Sequence, residues 1–124
     1  MSLTTADTQF SKYIRLRDSV DGMVTCFICG RSIPINEATA GHFIKRRHMA
    51  TRFDERNVHG MCFRCNQEEE GNTEVSDLHY IKMRDRYSHV VIDELYFRSR
   101  QPFHMSKSDI NEIAKTYREK IKEL

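Results

Sequence analysis

The sequence predicts a small α+β domain in which short strands gather around two cysteine pairs and helices flank them on both sides. Three observations carry this reading. All four cysteines fall in two Cys-x-x-Cys pairs. Apolar residues recur at helical spacing near both ends of the chain, whereas the segment between the pairs holds short extended patterns. The length of 124 residues suits one domain with a thin core. The chain therefore divides into an N-terminal helix (1–19), a metal-clamped core (20–72) and a C-terminal helical scaffold (73–124).

The pairs are Cys26-Phe27-Ile28-Cys29 and Cys62-Phe63-Arg64-Cys65, separated by 32 residues. A Cys-x-x-Cys turn brings two sulfurs close enough for one metal ion. Two such turns complete the tetrahedron that zinc forms with thiolates. Gly30 follows the first pair and can adopt the left-handed backbone such a turn requires. The competing reading is two disulfides in a secreted domain. Met1 to Phe10 lacks the apolar core of a signal peptide, and the spacing favours a structural zinc.

Each element has its own signal. Thr8 to Asp18 predicts a helix, with Phe10, Tyr13, Ile14 and Arg17 at helical spacing and Asp7 as its cap. Met1-Ser2-Leu3 is assigned no role. Asp21-Gly22 is a turn, and Met23 to Ile28 a strand entering the first cysteine pair. Ile33-Pro34-Ile35 is an extended connection. Thr39 to Ile44 is a strand carrying His42. Lys45 to Arg56 is polar and aperiodic, hence a loop. Asn57 to Met61 returns to the second pair, and a helix starts near Cys62 and stops at Gly71-Asn72. Asp77 to Tyr87 and Val90 to Ser99 are helices. Gln101 to Ser106 breaks the pattern, and Ser108 caps a last helix to Leu124 with Ile110, Ile113, Ala114, Tyr117 and Ile121 on one face.

Composition excludes several classes. Charged residues make up 31% and hydrophobic residues 39%, a globular balance rather than a disordered one. No apolar run reaches the roughly 20 residues that span a bilayer. A cytoplasmic protein without a membrane partner is expected. The net charge of +2 hides a local excess. From Gly41 to Asn66, six basic residues stand against Asp54 and Glu55. Lys45, Arg46, Arg47, Arg52 and Arg56 form the densest part of this patch. Such clustering points to contact with a polyanion, and a basic solvated face is the plainer alternative.

The most informative stretch is AGHFIKRRHMATRFDERNVHGMCFRCN, Ala40 to Asn66. It places a histidine on a strand, an asparagine 15 residues later, and a second asparagine directly after the last cysteine. Phosphodiester hydrolysis needs a base to activate water and a cation to stabilise the phosphate, both rigidly supported. Imidazole suits the first role and a sparsely ligated Mg²⁺ the second. The order of residues resembles a ββα-metal, or His-Me finger, nuclease. Phe10 to Asp18, the first Cys-x-x-Cys-Gly, Ala40-Gly41-His42-Phe43, Arg52-Phe53-Asp54, Asn57-Val58-His59, the Cys-x-x-Cys-Asn and Gly71-Asn72 together resemble the NinG family of lambdoid phages, also called Rap recombination endonucleases. The order of pairs, histidine and asparagine is also similar to phage endonuclease VII.

That resemblance implies a zinc-stabilised ββα-metal core and an HNH-like endonuclease acting on branched DNA in recombination, in a bacterial cell carrying a phage or prophage. It implies His42 as general base, Asn57 as the brace that orients it, and Asn66 as a ligand of a catalytic Mg²⁺ or Mn²⁺. The cysteines would be the zinc ligands, and the basic patch would contact phosphates. One position departs from the broader pattern. Gly41 stands where a carboxylate ligand commonly precedes the histidine, and His48, Asp54, Glu55 or Glu68 to Glu70 are the replacements within reach in sequence. Without that carboxylate, a non-catalytic zinc module binding DNA or a protein stays open. A purely structural assembly protein would leave His42 and the basic stretch unexplained. A homodimer would suit a symmetric DNA junction.

Overall fold

A computed structural model describes residues 2–124. Helix α1 spans Leu3–Arg17. It begins earlier than the apolar spacing predicts because Ser2 caps it, its Oγ accepting from the Thr5 amide at 3.2 Å. Asp7 therefore lies inside the helix and caps nothing. Strands β1 (Ser19–Val20), β2 (Met23–Thr25) and β3 (Ser32–Pro34) form an antiparallel sheet in that order. Asp21 and Gly22, both at positive φ, make the tight turn between β1 and β2. The strand expected up to Ile28 stops at Thr25, because the first cysteine turn takes over the backbone. There the Cys26 amide donates to the Arg31 carbonyl and the Gly30 amide to the Cys26 carbonyl. Gly30 sits at φ 79°, as that turn requires.

Strand β4 (Ala38–His42) pairs antiparallel with β5 (Val58–Cys62), with His42 opposite Val58 and Ala38 opposite Cys62. Helix α3 (Phe63–Glu68) follows β5 directly, and the Cys62 sulfur caps it by accepting from the Cys65 amide. The segment expected as a loop holds two short helical pieces: α2 (Met49–Arg52) and a 3₁₀ turn (Glu55–Asn57). A stretch this short has no periodicity to read, and tertiary contacts form it. Asn72 caps the next helix rather than only ending the previous one. Helices α4 (Thr73–Tyr87) and α5 (His89–Ser99) follow, and α6 (Lys107–Lys122) ends the chain. The cap of α6 is Ser106, not Ser108. Ser106 and Asp109 satisfy each other's backbone amides in a capping box.

Every residue of β5 is buried, so this strand sits between packed layers. On one side, Phe10 and Ile14 of α1 meet Val58 and Tyr117 of α6. Glu55 fastens this layer, accepting from the hydroxyls of Tyr13 (3.0 Å) and Tyr117 (2.9 Å) and from Lys120 (2.9 Å). On the other side, Val24, Ile28, Ile33 and Met61 pack around the cysteines. A third cluster joins Ile44 to Met83, Ile92 and Leu95 of the α4–α5 pair. Arg17 ties the layers at the edge, donating to the carbonyls of Glu55 (2.9 Å) and Val58 (2.8 Å).

Two buried histidines lie between these clusters. His59 stacks on Phe27 and bonds the Tyr87 hydroxyl through Nε2. His79 is fully buried, and neither ring nitrogen has a hydrogen-bond partner. Burial holds both rings neutral, their pKa values pushed down to about 3. The unfolded chain takes up protons near pH 6.5 and the folded chain does not. Stability is therefore full above about pH 6.5 and falls as pH drops toward 3. Each ring contributes at most about 1.4 kcal/mol per pH unit. Urea denaturation between pH 7 and pH 5 is expected to show this slope, and His79→Leu to flatten it. An unchanged slope in that variant would refute the assignment.

Candidate functional site

The two cysteine turns converge. The sulfurs of Cys26, Cys29, Cys62 and Cys65 all lie within 4.8 Å of one another, and Cys29 and Cys62 are 4.0 Å apart. Thiolates tetrahedral about zinc at about 2.3 Å stand about 3.8 Å from each other. All four cysteines are free thiols. Burial opposes ionisation of Cys26, yet amides of Cys29, Cys62 and Ile28 bring its pKa down to about 7. Burial and neighbouring sulfurs push Cys29 and Cys65 the other way. A cluster in which one thiolate forms readily and the next are opposed by it calls for a cation among them. Four soft donors at this separation fit a structural metal such as zinc. The centre joins the turn before β3 to the β5–α3 junction, so it fixes α3 against the β4–β5 pair.

Beside that pair lies a cleft of about 540 Å³ whose lining includes Asp7, Ala40, His42, Lys45, Arg46, Arg47, Asn66, Gln67 and Glu70. Packing thus brings His42, at the end of β4, and Asn66, on α3, to one cavity. The ring of His42 is held by a hydrogen bond of 2.9 Å between Nε2 and the carbonyl of Arg52. A carbonyl only accepts, so Nε2 carries the proton and Nδ1 the lone pair. Burial, with the charges of Arg46 and Arg52, lowers the pKa of His42 to about 4. The imidazole is neutral at pH 7.

Asn57 is fully buried beneath the β4–α2 connection. Its Oδ1 accepts from the Ile44 amide at 2.8 Å. Its Nδ2 donates to the carbonyls of Ile44 (3.0 Å) and Thr51 (3.1 Å). One side chain thereby ties the start of this connection to its end.

The other predicted residues separate. Arg46 and Arg47 are exposed at the cleft. Lys45 lines it too but pairs with Glu69. Arg52 is mostly buried against Asp7, and Arg56 is held by Asp54 and Glu94. His48 precedes α2 without capping it through its side chain, and it is not among the cleft-lining residues. Of the carboxylates considered in place of residue 41, Glu70 lines the cleft, where it stands 3.8 Å from the exposed Arg47 guanidinium. Asp54 is taken by Arg56 and Arg98, Glu55 by two tyrosines and a lysine, and Glu68 by Arg64. Asp7 also lines the cleft, a placement that nothing near it in sequence signals.

Gly41 has a steric reason. A Cβ there would stand 2.3 Å from the Met61 sulfur and 3.1 Å from the Asn66 Oδ1. Those Met61 atoms end a flexible side chain, but it is fully buried, so it must repack to admit a larger residue here. Gly41→Asp is therefore expected to lose about 1–3 kcal/mol of stability by overpacking, measured as a lower urea midpoint. A neutral outcome would show that Met61 repacks.

These features define a small α+β protein with four clustered cysteines that could hold a structural metal, set beside a cleft lined by charged residues of both signs. The chain belongs to the NinG family, described as bacteriophage lambda NinG protein, whose model matches residues 3–124. No curated protein and no solved structure matches it significantly. Among the described residues, no helix is long and apolar enough to cross a membrane.

Proposed function

We propose that this chain is a metal-dependent endonuclease of the His-Me finger type, cutting branched DNA during phage recombination. The observation that carries the reading is the shared cleft: a neutral imidazole and a carboxamide face one cavity between β4 and α3. In this reading, β4, β5 and α3 are the ββα-metal unit, and the tetrathiol centre sets the spacing between His42 and Asn66.

His42 Nδ1 takes a proton from water, and the resulting hydroxide attacks the scissile phosphorus as the P–O bond to the leaving sugar breaks. The Arg52 carbonyl keeps the ring in the tautomer that leaves Nδ1 free. Asn57 holds the connection that presents this carbonyl. Arg46 and Arg47 meet the DNA backbone, while Arg52 and Arg56 are committed to protein contacts. Burial is the main cause of the lowered His42 pKa, and a phosphate drawn to Arg46 would offset the smaller contribution of that charge.

Oxygen donors suited to Mg²⁺ or Mn²⁺ line the same cleft, with Asn66, Gln67 and Glu70 on one side. A divalent cation there would stabilise charge developing on the phosphate. A second reading, a zinc module that binds DNA without cutting, is favoured by Gly41, which supplies no carboxylate beside His42. A cleavage panel of linear, flap and four-way DNA in Mg²⁺ and Mn²⁺ separates the two. Band shifts without any cut would select the second.

A further inference from the structure

We propose that Asp7 is a positioning residue for His42: it clamps the Arg52 side chain and so fixes the Arg52 carbonyl that holds the imidazole. The inference rests on the reading of His42 as a base. Helix α2 has four residues, one turn, too short to hold itself in place. The Arg52 carbonyl belongs to its last turn, where helix carbonyls lack partners within the helix. Such a carbonyl is free to accept from His42 at 2.9 Å, but its position depends on what seats α2.

Three side chains do this. Arg98 of α5 holds the start of the turn by donating to the Ala50 carbonyl at 3.1 Å, while the other two act at the Arg52 end. Asn57 takes the carbonyl of Thr51, next to Arg52. Asp7, from α1, takes the guanidinium of Arg52 with both oxygens, one bond being 2.9 Å from Nε and the other coming from Nη2. Bidentate pairing fixes orientation as well as distance. The same guanidinium donates to the Arg46 carbonyl at 3.0 Å, which draws the connection after β4 onto the anchor. The pair is shielded, with Arg52 13% and Asp7 20% exposed. Both Asp7 oxygens are thus engaged, so Asp7 acts through Arg52 rather than on a cation.

The test uses the zinc-loaded protein with Asp7→Asn, with Arg52→Asp and with the exchange pair Asp7→Arg, Arg52→Asp. The exchange retains an ion pair, and residue 52 keeps its main-chain carbonyl. Zinc content and thermal midpoint establish that each variant is folded. Long-range ¹H–¹⁵N spectra report the His42 tautomer without DNA, and cleavage gives kcat and KM. Asp7→Asn is expected to reduce the Nε2–H fraction of His42 and to lower kcat by about 10–100-fold with KM little changed. The exchange pair is expected to recover both relative to Arg52→Asp alone. An unchanged His42 tautomer in Asp7→Asn would overturn the proposal, as would lost Mn²⁺ binding with that tautomer intact. Wild type that cuts no DNA would refute the nuclease reading, while the tautomer still decides the tether.

Discussion

Cys62→Ser is expected to abolish the folded core at 25 °C. Cys62 ends β5, caps α3 and supplies one of four sulfurs at the metal centre. Serine preserves a cap but supplies no thiolate. Binding of structural zinc releases on the order of 10–16 kcal/mol in small zinc peptides. A domain of this size has about 5–15 kcal/mol of total stability. Losing even much of the first quantity exhausts the second. The cluster packed on the sulfurs also has little to retain it, since Val24, Ile28, Ile33 and Met61 gather around the centre itself. The measurement is bound zinc per chain, with far-ultraviolet circular dichroism before and after a strong chelator. The wild type is expected to bind one zinc and to unfold when stripped. A variant that stays folded with an unchanged melting temperature would show that the centre is dispensable.

His42→Ala is expected to lose cleavage by about 10²–10⁴-fold, the usual contribution of a general base, while keeping zinc and fold. The structural cost is small: one hydrogen bond to the Arg52 carbonyl, worth about 1 kcal/mol, beside a cleft open to water. DNA binding should persist, because Arg46 and Arg47 are untouched. A panel of linear, flap and four-way substrates, run for wild type and variant at equal zinc content, checks this. Equal cleavage by the variant would remove His42 from the chemistry. Cleavage by neither protein, with binding by both, would leave the non-catalytic module as the better account.

The sequence made much of this site legible. The cysteine spacing pointed to the four-sulfur cluster, because residue type and a two-residue gap are local properties that survive any packing. The strand bearing His42 was also readable, although it runs from Ala38 to His42 and stops two residues short of the Ile44 expected. Local signals failed where distant residues decide. Helix α2 is held by Asn57 and Arg98, the latter donating to the Ala50 carbonyl at 3.1 Å from α5. Nothing between Lys45 and Arg56 reveals those partners. Ser108 looked like the last cap, but Ser106 has the aspartate three residues on that closes the box.

Charge shows the division most clearly. Five basic residues from Lys45 to Arg56 read alike in sequence, yet the fold holds Arg52 and Arg56 in close ion pairs and leaves Arg46 and Arg47 exposed, in loose pairs with Asp7 (3.9 Å) and Glu70 (3.8 Å).

By itself, then, the sequence determined the cysteine cluster that could hold a metal, the strand carrying the histidine and the helix that starts within the last cysteine pair, because each is written in residue type at short range. Only the tertiary structure decided that Asp7 meets Arg52 across 45 positions and that His42 and Asn66 share a cavity. The physical reason is that pairing and burial depend on how α1 and α3 pack on the β4–β5 strands, and no spacing along the chain encodes that approach.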